Sequence, residues 1–280
     1  MTSADIGAGE LRDAPLGHAT DYPDRYAPSQ LYPVARAPQR AALGIRDRLP
    51  FAGVDQWTAY ELTWLDERGK PQVAMASFGV PIESPSIIES KSMKLYLGSF
   101  AQTRYARAAD LAATIERDLS AAAGAPVAVA LQGPEAFAAQ TIRELEGEIL
   151  DGLPVACDAY DVDPALLAAN ADVVAETLAT NLFRSVCPVT GQPDIASLQI
   201  AYRGPRIDRE ALLRYLVSYR CHAGFHEHCV ERIFVDVAAR CGCEALTVLA
   251  RFTRRGGLDI NPFRSNAGVP PPPNVRTARQ

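Results

Sequence analysis

A thiol and a carboxylate stand at the two ends of a short loop, in the stretch SVCPVTGQPD at 185–194. Two prolines and a glycine between Cys187 and Asp194 stiffen and turn this loop. Most cysteines are small buried apolar residues, but Cys187 falls where a strand is predicted to end, and rigidly held loops often carry function. The loop therefore indicates either a buried cysteine beside an ordinary turn, or a nucleophile and a proton donor that face one pocket.

Three of the four histidines lie in CHAGFHEHC at 221–229, which raises the question of a metal site. The zinc-protease pattern HExxH would need histidine in place of Val230, so that pattern fails. Structural zinc takes mixed cysteine and histidine ligands, and Cys221 and Cys229 could join Cys187 in such a set. This zinc hypothesis stays open as the alternative.

The non-metal interpretation of the same stretch rests on His226 and Glu227. Gly224 and Phe225 are expected to interrupt any helix before them, so Glu227 falls in the first turn of the next one. There the helix dipole favours a carboxylate, which can accept two N–H donors from the edge of a planar heterocycle. His226 beside it would donate to the ligand or handle protons.

The stretch IIESKSMK at 87–94 reads as the start of a helix. Ser90 or Ser92 is expected to cap that helix. A helix N-terminus that carries lysines, Lys91 among them, also suits a phosphate group, and Glu89 just before it could reach a ligand.

A second basic stretch, RFTRRGGLDINPFRS at 251–265, places Arg254 and Arg255 before two glycines. Two guanidinium groups therefore stand next to glycine backbone, which a ligand can approach closely because it carries no side chain. The structural alternative is a solvated strand end and a flexible turn. By contrast, the GxG at Gly7 and Gly9 follows no predicted strand, so a Rossmann dinucleotide site is not expected.

The composition limits the class of protein. The chain has 280 residues, is 48% hydrophobic and 22% charged, and carries a net charge of −5, as is typical of a soluble globular protein without a general attraction to nucleic acid or anionic membrane. No apolar run approaches the roughly 18–20 residues that span a bilayer, and the first residues do not resemble a secretory signal. The six cysteines are therefore expected to be free thiols in a reducing compartment, which indicates the cytoplasm.

The elements that must position these residues follow one order twice, β-β-α-α-β. The first set comprises a hairpin, two helices and a short buried strand, predicted at 57–66, 71–81, 90–105, 108–124 and 125–133. The second set comprises strands on both sides of the Cys187 loop, two helices and a closing strand, predicted at 179–186, 195–204, 208–224, 225–242 and 244–257.

Particular positions in the second set support these elements. Ala196, Leu198 and Ile200 alternate with polar residues as a half-buried strand requires, and Asp208 is a plausible helix N-cap. Cys229 lies with three other apolar residues on one helical stripe, so it is assigned to the core, as is Cys241.

The pattern predicts an α+β fold of two tandem modules, each an antiparallel sheet with helices packed on one face. The predicted boundaries are an N-terminal arm at 1–50, a first module at 51–140, a second and catalytic module at 141–266, and a Pro-rich, polyproline-type tail at 267–280.

Four stretches in this order, at 89–100, 185–194, 225–234 and 251–266, together resemble the NADPH-dependent nitrile reductases of queuosine biosynthesis, the QueF family. The chain is similar to its long form, which carries two tunnelling-fold modules. Phe263 departs from the pattern, because tryptophan often stands there, but this position has no proposed chemical role.

The resemblance implies that 7-cyano-7-deazaguanine is reduced to 7-aminomethyl-7-deazaguanine with the consumption of two NADPH and no metal, on the route to the tRNA nucleoside queuosine. It implies that Cys187 adds to the nitrile carbon to form a covalent thioimide and that Asp194 protonates the nitrile nitrogen. The residues implied to bind the substrate are Ile88, Glu89, Ser90, His226 and Glu227. Those implied to bind NADPH are Ser90, Lys91, Arg255 and Gly256.

The chemistry of the residues agrees with these roles. Thiol addition turns a nitrile, a poor hydride acceptor, into an imine-like centre that accepts hydride more readily. The nitrogen then needs a proton, which Asp194 at the far end of a fixed turn can supply. Because Glu89 and Cys187 fall in different predicted modules, we expect a pocket between modules or between the chains of a homodimer.

Two other functions remain open from the sequence. A zinc-dependent tunnelling-fold cyclohydrolase or deaminase would also use a glutamate to bind a pterin or purine ring. A tRNA- or nucleotide-binding module without catalysis is the non-enzymatic alternative. The net charge of −5 and the lack of interleaved basic and aromatic residues count against direct nucleic-acid binding.

Overall fold

The computed structural model describes residues 22–280, so the predictions for Gly7, Gly9 and the first part of the arm fall outside the described residues. The strands are β1 Pro33–Ala35, β2 Ala52–Leu65, β3 Pro71–Pro81, β4 Ser86–Ile88, β5 Ala128–Gln132, β6 Glu148–Ile149, β7 Ala169–Val186, β8 Pro193–Ile207, β9 Ala245–Phe252 and β10 Leu258–Ser265. The α-helices are α1 Ala37–Ala42, α2 Ser90–Gly98, α3 Ala108–Ala123, α4 Arg209–Ser218 and α5 His226–Cys241.

Contacts divide the described chain into two compact units, each built from separated segments. The first unit contains 22–39, 55–141 and 254–260, and the second contains 40–54, 142–253 and 261–280. The boundaries predicted from sequence divide the chain differently and stay a prediction.

In the first unit, β2 and β3 form the predicted hairpin and β5 pairs antiparallel to β3. Along α3 the fully buried residues Leu111, Ile115 and Leu119 recur at helical spacing and pack in one core with strand residues such as Trp57 and Phe78. The helices thus bury their apolar stripes against this sheet.

In the second unit, antiparallel β7 and β8 carry the Cys187 loop and β9 continues the antiparallel order beside β8. The short β6 is the exception, because it pairs parallel to β7. Asp208 caps α4 by accepting a hydrogen bond from the Ala211 N–H, as predicted. Cys229 and Cys241 are buried on the core side of α5, also as predicted.

Each unit contains the same kind of hydrogen bond, from a tyrosine on its first long helix to an aspartate on its second. Tyr96 on α2 donates to Asp118 on α3 at 2.8 Å, and Tyr215 on α4 donates to Asp236 on α5 at 2.7 Å. In both units a serine three residues after the tyrosine donates to its carbonyl, at 2.6 Å each time, and an aromatic ring packs edge-on four residues after it. These matched details support the predicted pair of α+β tunnelling-fold modules.

Several elements differ from the sequence-based prediction; for example, β7 begins at Ala169 rather than at residue 179, and β9 ends at Phe252 rather than at residue 257. Helix α2 ends at Gly98 rather than continuing to residue 105, yet Phe100 stays fully buried because the chain turns back onto the Tyr96 ring. Strand β5 is half-exposed rather than buried, because it lies at the end of the strand order. Strand β10 was not predicted at all, since a proline and several polar residues interrupt its apolar pattern.

In the described part of the N-terminal arm, a strand pairing and an ion pair hold the chain in the first unit. In the first unit β1 pairs with β4, and Arg36 forms an ion pair with the buried Asp55 at 2.6 Å. Short helical pieces were expected here and are present, but β1 was not expected. Within residues 22–280, every helix is too short or too polar to cross a membrane.

Candidate active site

The Cys187 loop is closed by the main chain of Cys187 itself. Its N–H donates to the Gln192 carbonyl at 2.8 Å, and its carbonyl accepts from the Gly191 N–H at 2.9 Å. Gly191 adopts φ of +66°, a conformation that favours glycine. These bonds hold the thiol-bearing residue at a defined place at the end of β7.

The register of the hairpin puts Asp194 on the same face as Cys187. Asp194 lies directly opposite Ser185, and Cys187 follows Ser185 by two residues. Because strand side chains alternate, Cys187 and Asp194 are diagonal neighbours, a relation typically about 7–8 Å between Cα atoms. Both side chains are buried, with Cys187 9% and Asp194 3% exposed.

A second segment fixes the residue before the thiol. The Val186 N–H donates to the His222 carbonyl at 2.9 Å, and the Gly224 N–H donates to the Val186 carbonyl at 3.1 Å. The chain just before α5 is therefore paired to the end of β7. This pairing brings the start of α5 to the side of the Cys187 loop.

Helix α5 begins at His226, as the break at Gly224 and Phe225 predicted. Its first residue points at the acid, since His226 Nε2 lies 3.5 Å from Asp194 Oδ1. Glu227 is 3% exposed and lies in the first turn, where the helix dipole favours its negative charge. The His226 ring is also held edge-on to Phe252, with 4.1 Å between ring centroids.

One turn further along α5, Glu231 is held by two buried guanidinium groups. Arg40 donates to both carboxylate oxygens at 2.7 and 3.0 Å, and Arg264 donates twice to Oε1 at 3.0 and 3.1 Å. Breaking such a buried pair on one side typically costs about 3–5 kcal/mol. Local sequence patterns do not reveal either arginine as a partner of Glu231, because each lies 33 or more residues away from it.

Three other cysteines of the second unit, Cys229, Cys241 and Cys243, are held in the thiol form. Burial raises the pKa of Cys229 to about 12, of Cys241 to about 11 and of Cys243 to about 12. A thiol held in its protonated form is a poor nucleophile near neutral pH. Cys229, Cys241 and Cys243 therefore do not suit the nucleophilic role.

Two histidines beside the site are held neutral. Burial, assisted by the positive charge of Arg232, lowers the pKa of His222 to about 4. Burial also lowers the pKa of His228 to about 4, although the negative charge of Glu231 opposes this shift. His222 Nε2 and His228 Nδ1 are buried without a hydrogen-bond partner. Because a pKa of about 4 makes each imidazole a weak base near neutral pH, neither histidine suits the role of general base.

In the first unit, Glu89 rather than a serine caps α2. Its carboxylate accepts from the N–H groups of Lys91 and Ser92, at 2.8 Å each, so the expectation of a cap at Ser90 or Ser92 was wrong. A glutamate was overlooked as a cap because shorter side chains are preferred there. Glu89 is 1% exposed, and its N–H is tied to the Tyr32 carbonyl at 2.9 Å.

The basic stretch of the first unit forms a tight turn. Gly256 and Gly257 have φ of +57° and +73°, and the Arg255 N–H donates to the Leu258 carbonyl at 2.9 Å, as in a two-residue hairpin turn of type I′. A Cβ atom at Gly256 would lie 3.1 Å from Lys94 Cδ, so α2 and this turn are neighbours. Because Glu89 already takes up two N–H groups at the start of α2, the features here that suit a phosphate-bearing cofactor are the glycine turn and the neighbouring basic side chains.

The structure brings the predicted residues together in two sets. In the second unit, Cys187 and Asp194 lie at the end of the β7–β8 hairpin, and His226, which begins α5 next to Glu227, lies 3.5 Å from Asp194. Ile88, at the end of β4, leads through Glu89 and Ser90 into the first turn of α2 in the first unit, next to the glycine turn. Phe252 was not predicted as a site residue, because only its contact with His226 reveals it.

No three His, Cys, Asp or Glu side chains in residues 22–280 lie close enough together to share a metal ion. The zinc set proposed from Cys187, Cys221 and Cys229 is therefore not assembled, and Cys221 is exposed whereas Cys229 is buried. All six cysteines are free.

Comparison with known families identifies the two halves of the chain. Residues 22–131 match the family "Nitrile reductase, 7-cyano-7-deazaguanine-reductase N-term", and residues 193–270 match the family "QueF-like protein". The second match contains Asp194, His226 and Glu227, whereas Cys187 lies six residues before its start.

Curated relatives match almost the whole chain. The NADPH-dependent 7-cyano-7-deazaguanine reductase of Bordetella pertussis is 58% identical over 271 residues, which cover 96% of this chain and 99% of that protein. The enzyme of the same name from Chromobacterium violaceum is 56% identical over 277 residues, which cover 98% of this chain and 99% of that protein. The chain therefore belongs to the family of NADPH-dependent 7-cyano-7-deazaguanine reductases.

Proposed function

We propose that this protein reduces the nitrile of 7-cyano-7-deazaguanine to the primary amine at the expense of two NADPH, for queuosine biosynthesis. The observation that carries the proposal is the β7–β8 register, which puts Asp194 on the Cys187 face with His226 at 3.5 Å from the acid. A thiol beside an acid suits addition to a C≡N bond.

In the proposed mechanism, Cys187 sulfur bonds to the nitrile carbon and the nitrile nitrogen takes up one proton from Asp194. The thiol passes its own proton to the Asp194 carboxylate, which replaces the proton given to the nitrogen, so the net change is addition of S–H across the triple bond and the product is a thioimide. The closed loop around Cys187 supports this role because it fixes the sulfur before the substrate arrives.

Glu227 and His226 are proposed to hold the deazaguanine ring. A carboxylate at a helix N-terminus matches the adjacent N–H donors of a guanine-like edge. Ile88, Glu89 and Ser90 are proposed to complete substrate binding. Both Glu89 oxygens already accept hydrogen bonds from backbone N–H groups, so a ligand N–H would bond to one of the lone pairs that remain.

Ser90, Lys91, Arg255 and Gly256 are proposed to hold NADPH. The glycine turn leaves room for a phosphate to approach, whereas the Lys91 and Ser92 N–H groups of α2 are already bonded to the Glu89 carboxylate. When bound, NADPH supplies the two hydrides that, with two protons, convert a nitrile to an aminomethyl group. Lys91 and Arg255 would neutralise the phosphate charge.

The test is a count of NADPH oxidised per nitrile supplied. We expect a ratio of two, loss of oxidation in Cys187→Ala, and a reduced rate with retained substrate binding in Asp194→Asn. Normal NADPH oxidation by Cys187→Ala would refute the covalent mechanism, and a ratio of one would refute complete reduction to the amine.

We also propose that the protein works in the cytoplasm as a homodimer. Its six free thiols support a reducing compartment. Light scattering of the purified protein tests the assembly: a mass near twice 30.2 kDa is expected, and a mass near 30.2 kDa would contradict it.

A further inference from the structure

The segment 273–280 is docked along the second unit rather than extending from it as a tail. The buried Arg251 donates to the Pro273 carbonyl at 3.0 Å and to the Asn274 side chain. Arg276 donates to the main-chain oxygen of Gln280 at 2.9 Å. The segment therefore carries a fixed conformation to its last described residue.

The Gln280 side chain is buried, and both its amide nitrogen and its amide oxygen form hydrogen bonds. Its Nε2 donates to the Phe252 carbonyl at 3.0 Å and to Asn261 Oδ1 at 2.7 Å, and its Oε1 accepts from the Thr277 N–H at 3.0 Å. Gln280 is 3% exposed. Both N–H donors are thus committed, one to the end of β9 and one to a residue in the middle of β10.

Phe252, which receives this hydrogen bond, contacts the site from two directions. Its ring meets the edge of the His226 ring at 4.1 Å between centroids. Its main chain pairs with Ala196, and the next N–H, from Thr253, donates to the Ile195 carbonyl at 2.8 Å, beside Asp194. A shift of the end of β9 would therefore move both His226 and the start of β8.

We propose that Gln280 is a positioning residue for the nitrile reaction. It holds the end of β9 so that Phe252 keeps His226 directed at Asp194. This inference rests on the proposed function and adds a residue distant in sequence from the motifs of the site.

The variant that tests this is Gln280→Met, which keeps an unbranched side chain of similar length and removes both donors. We expect kcat for nitrile-dependent NADPH oxidation to fall about tenfold, because a displaced His226 no longer orients Asp194, the proposed proton donor, and we expect the KM for NADPH to stay unchanged. The matched control is Glu144→Ala, which removes the acceptor of the Ala278 N–H in the same segment and is exposed. The control is expected to keep its kcat.

A double-mutant cycle with His226→Ala separates positioning from general destabilisation. If Gln280 acts through His226, Gln280→Met lowers kcat much less in the His226→Ala background than in the unaltered protein. An equal loss in both backgrounds, or an unchanged kcat in Gln280→Met alone, would overturn the proposal.

A measurement without turnover keeps this inference separate from the proposed function. The imidazole NMR signals of His226, assigned by their loss in His226→Ala, should move in Gln280→Met and stay in place in Glu144→Ala. Unmoved signals would refute the positioning role whatever the reaction is. Absent NADPH oxidation in the unaltered protein, with moved signals, would instead refute the proposed function alone.

Discussion

Because His222 is buried and neutral, we expect it to account for a defined part of the folding stability that the protein loses in acid. Its Nε2 is buried without a hydrogen-bond partner, and its ring packs edge-on against Tyr219, with centroids 5.4 Å apart. Phenylalanine has a similar shape and could keep this packing. We therefore expect His222→Phe to fold normally at neutral pH and to lose less stability in acid.

The size of the effect follows from the two pKa values. The folded protein holds His222 at a pKa of about 4, whereas the unfolded chain has the ordinary value of 6.5. As pH falls below 6.5, the unfolded state takes up the proton first, so stability decreases until the folded state also protonates near pH 4. At pH 5 this linkage costs about 2 kcal/mol.

The assay is urea unfolding of both proteins at pH 7.5 and at pH 5.0. The loss of unfolding free energy between the two pH values should be smaller in His222→Phe by about 2 kcal/mol, because only the histidine contribution is removed. Using the difference between pH values cancels any change in packing. An equal acid loss in the two proteins would refute the assignment of His222 as a buried neutral group.

Two further predictions concern the helices. Glu89→Ala should lower the unfolding free energy by about 1 kcal/mol without any ligand, because the N-terminal cap of α2 is lost; an unchanged urea midpoint would contradict the capping role. Tyr96→Phe and Tyr215→Phe should each lower the unfolding free energy by about 1–2 kcal/mol, because each removes a hydrogen bond to an aspartate; Tyr215→Phe should cost more, since it also removes the bond to the Tyr219 hydroxyl. A loss in only one of the two variants would argue against equivalent roles in the two units.

Local patterns were sufficient to predict the elements that carry the second set of site residues. Strands were predicted on both sides of the Cys187 loop, with alternation as the evidence for β8, and the break at Gly224 predicted the start of α5. These features depend on neighbours along the chain, which the sequence displays directly. Convergence of Asp194 with His226 is a tertiary contact, and only the family resemblance anticipated it.

The missed features depend on contacts between distant residues. The Glu231 ion pairs with Arg40 and Arg264 span up to 191 residues, and the docking of Gln280 joins the last residues to the end of β9. A Pro-rich composition predicted a polyproline tail, but composition carries no information about which buried acceptors a segment meets. Glu89 was anticipated as a ligand-binding residue, while its capping bonds were not.

The most direct test of the proposed mechanism mixes the protein with 7-cyano-7-deazaguanine in the absence of NADPH and measures the intact mass. The proposed thioimide predicts a mass increase of one whole substrate molecule, because addition of S–H across the nitrile releases nothing. The increase should be absent in Cys187→Ala and present in Cys229→Ala, the buried-cysteine control. An unchanged mass in the unaltered protein, or the same increase in Cys187→Ala, would contradict covalent catalysis by Cys187.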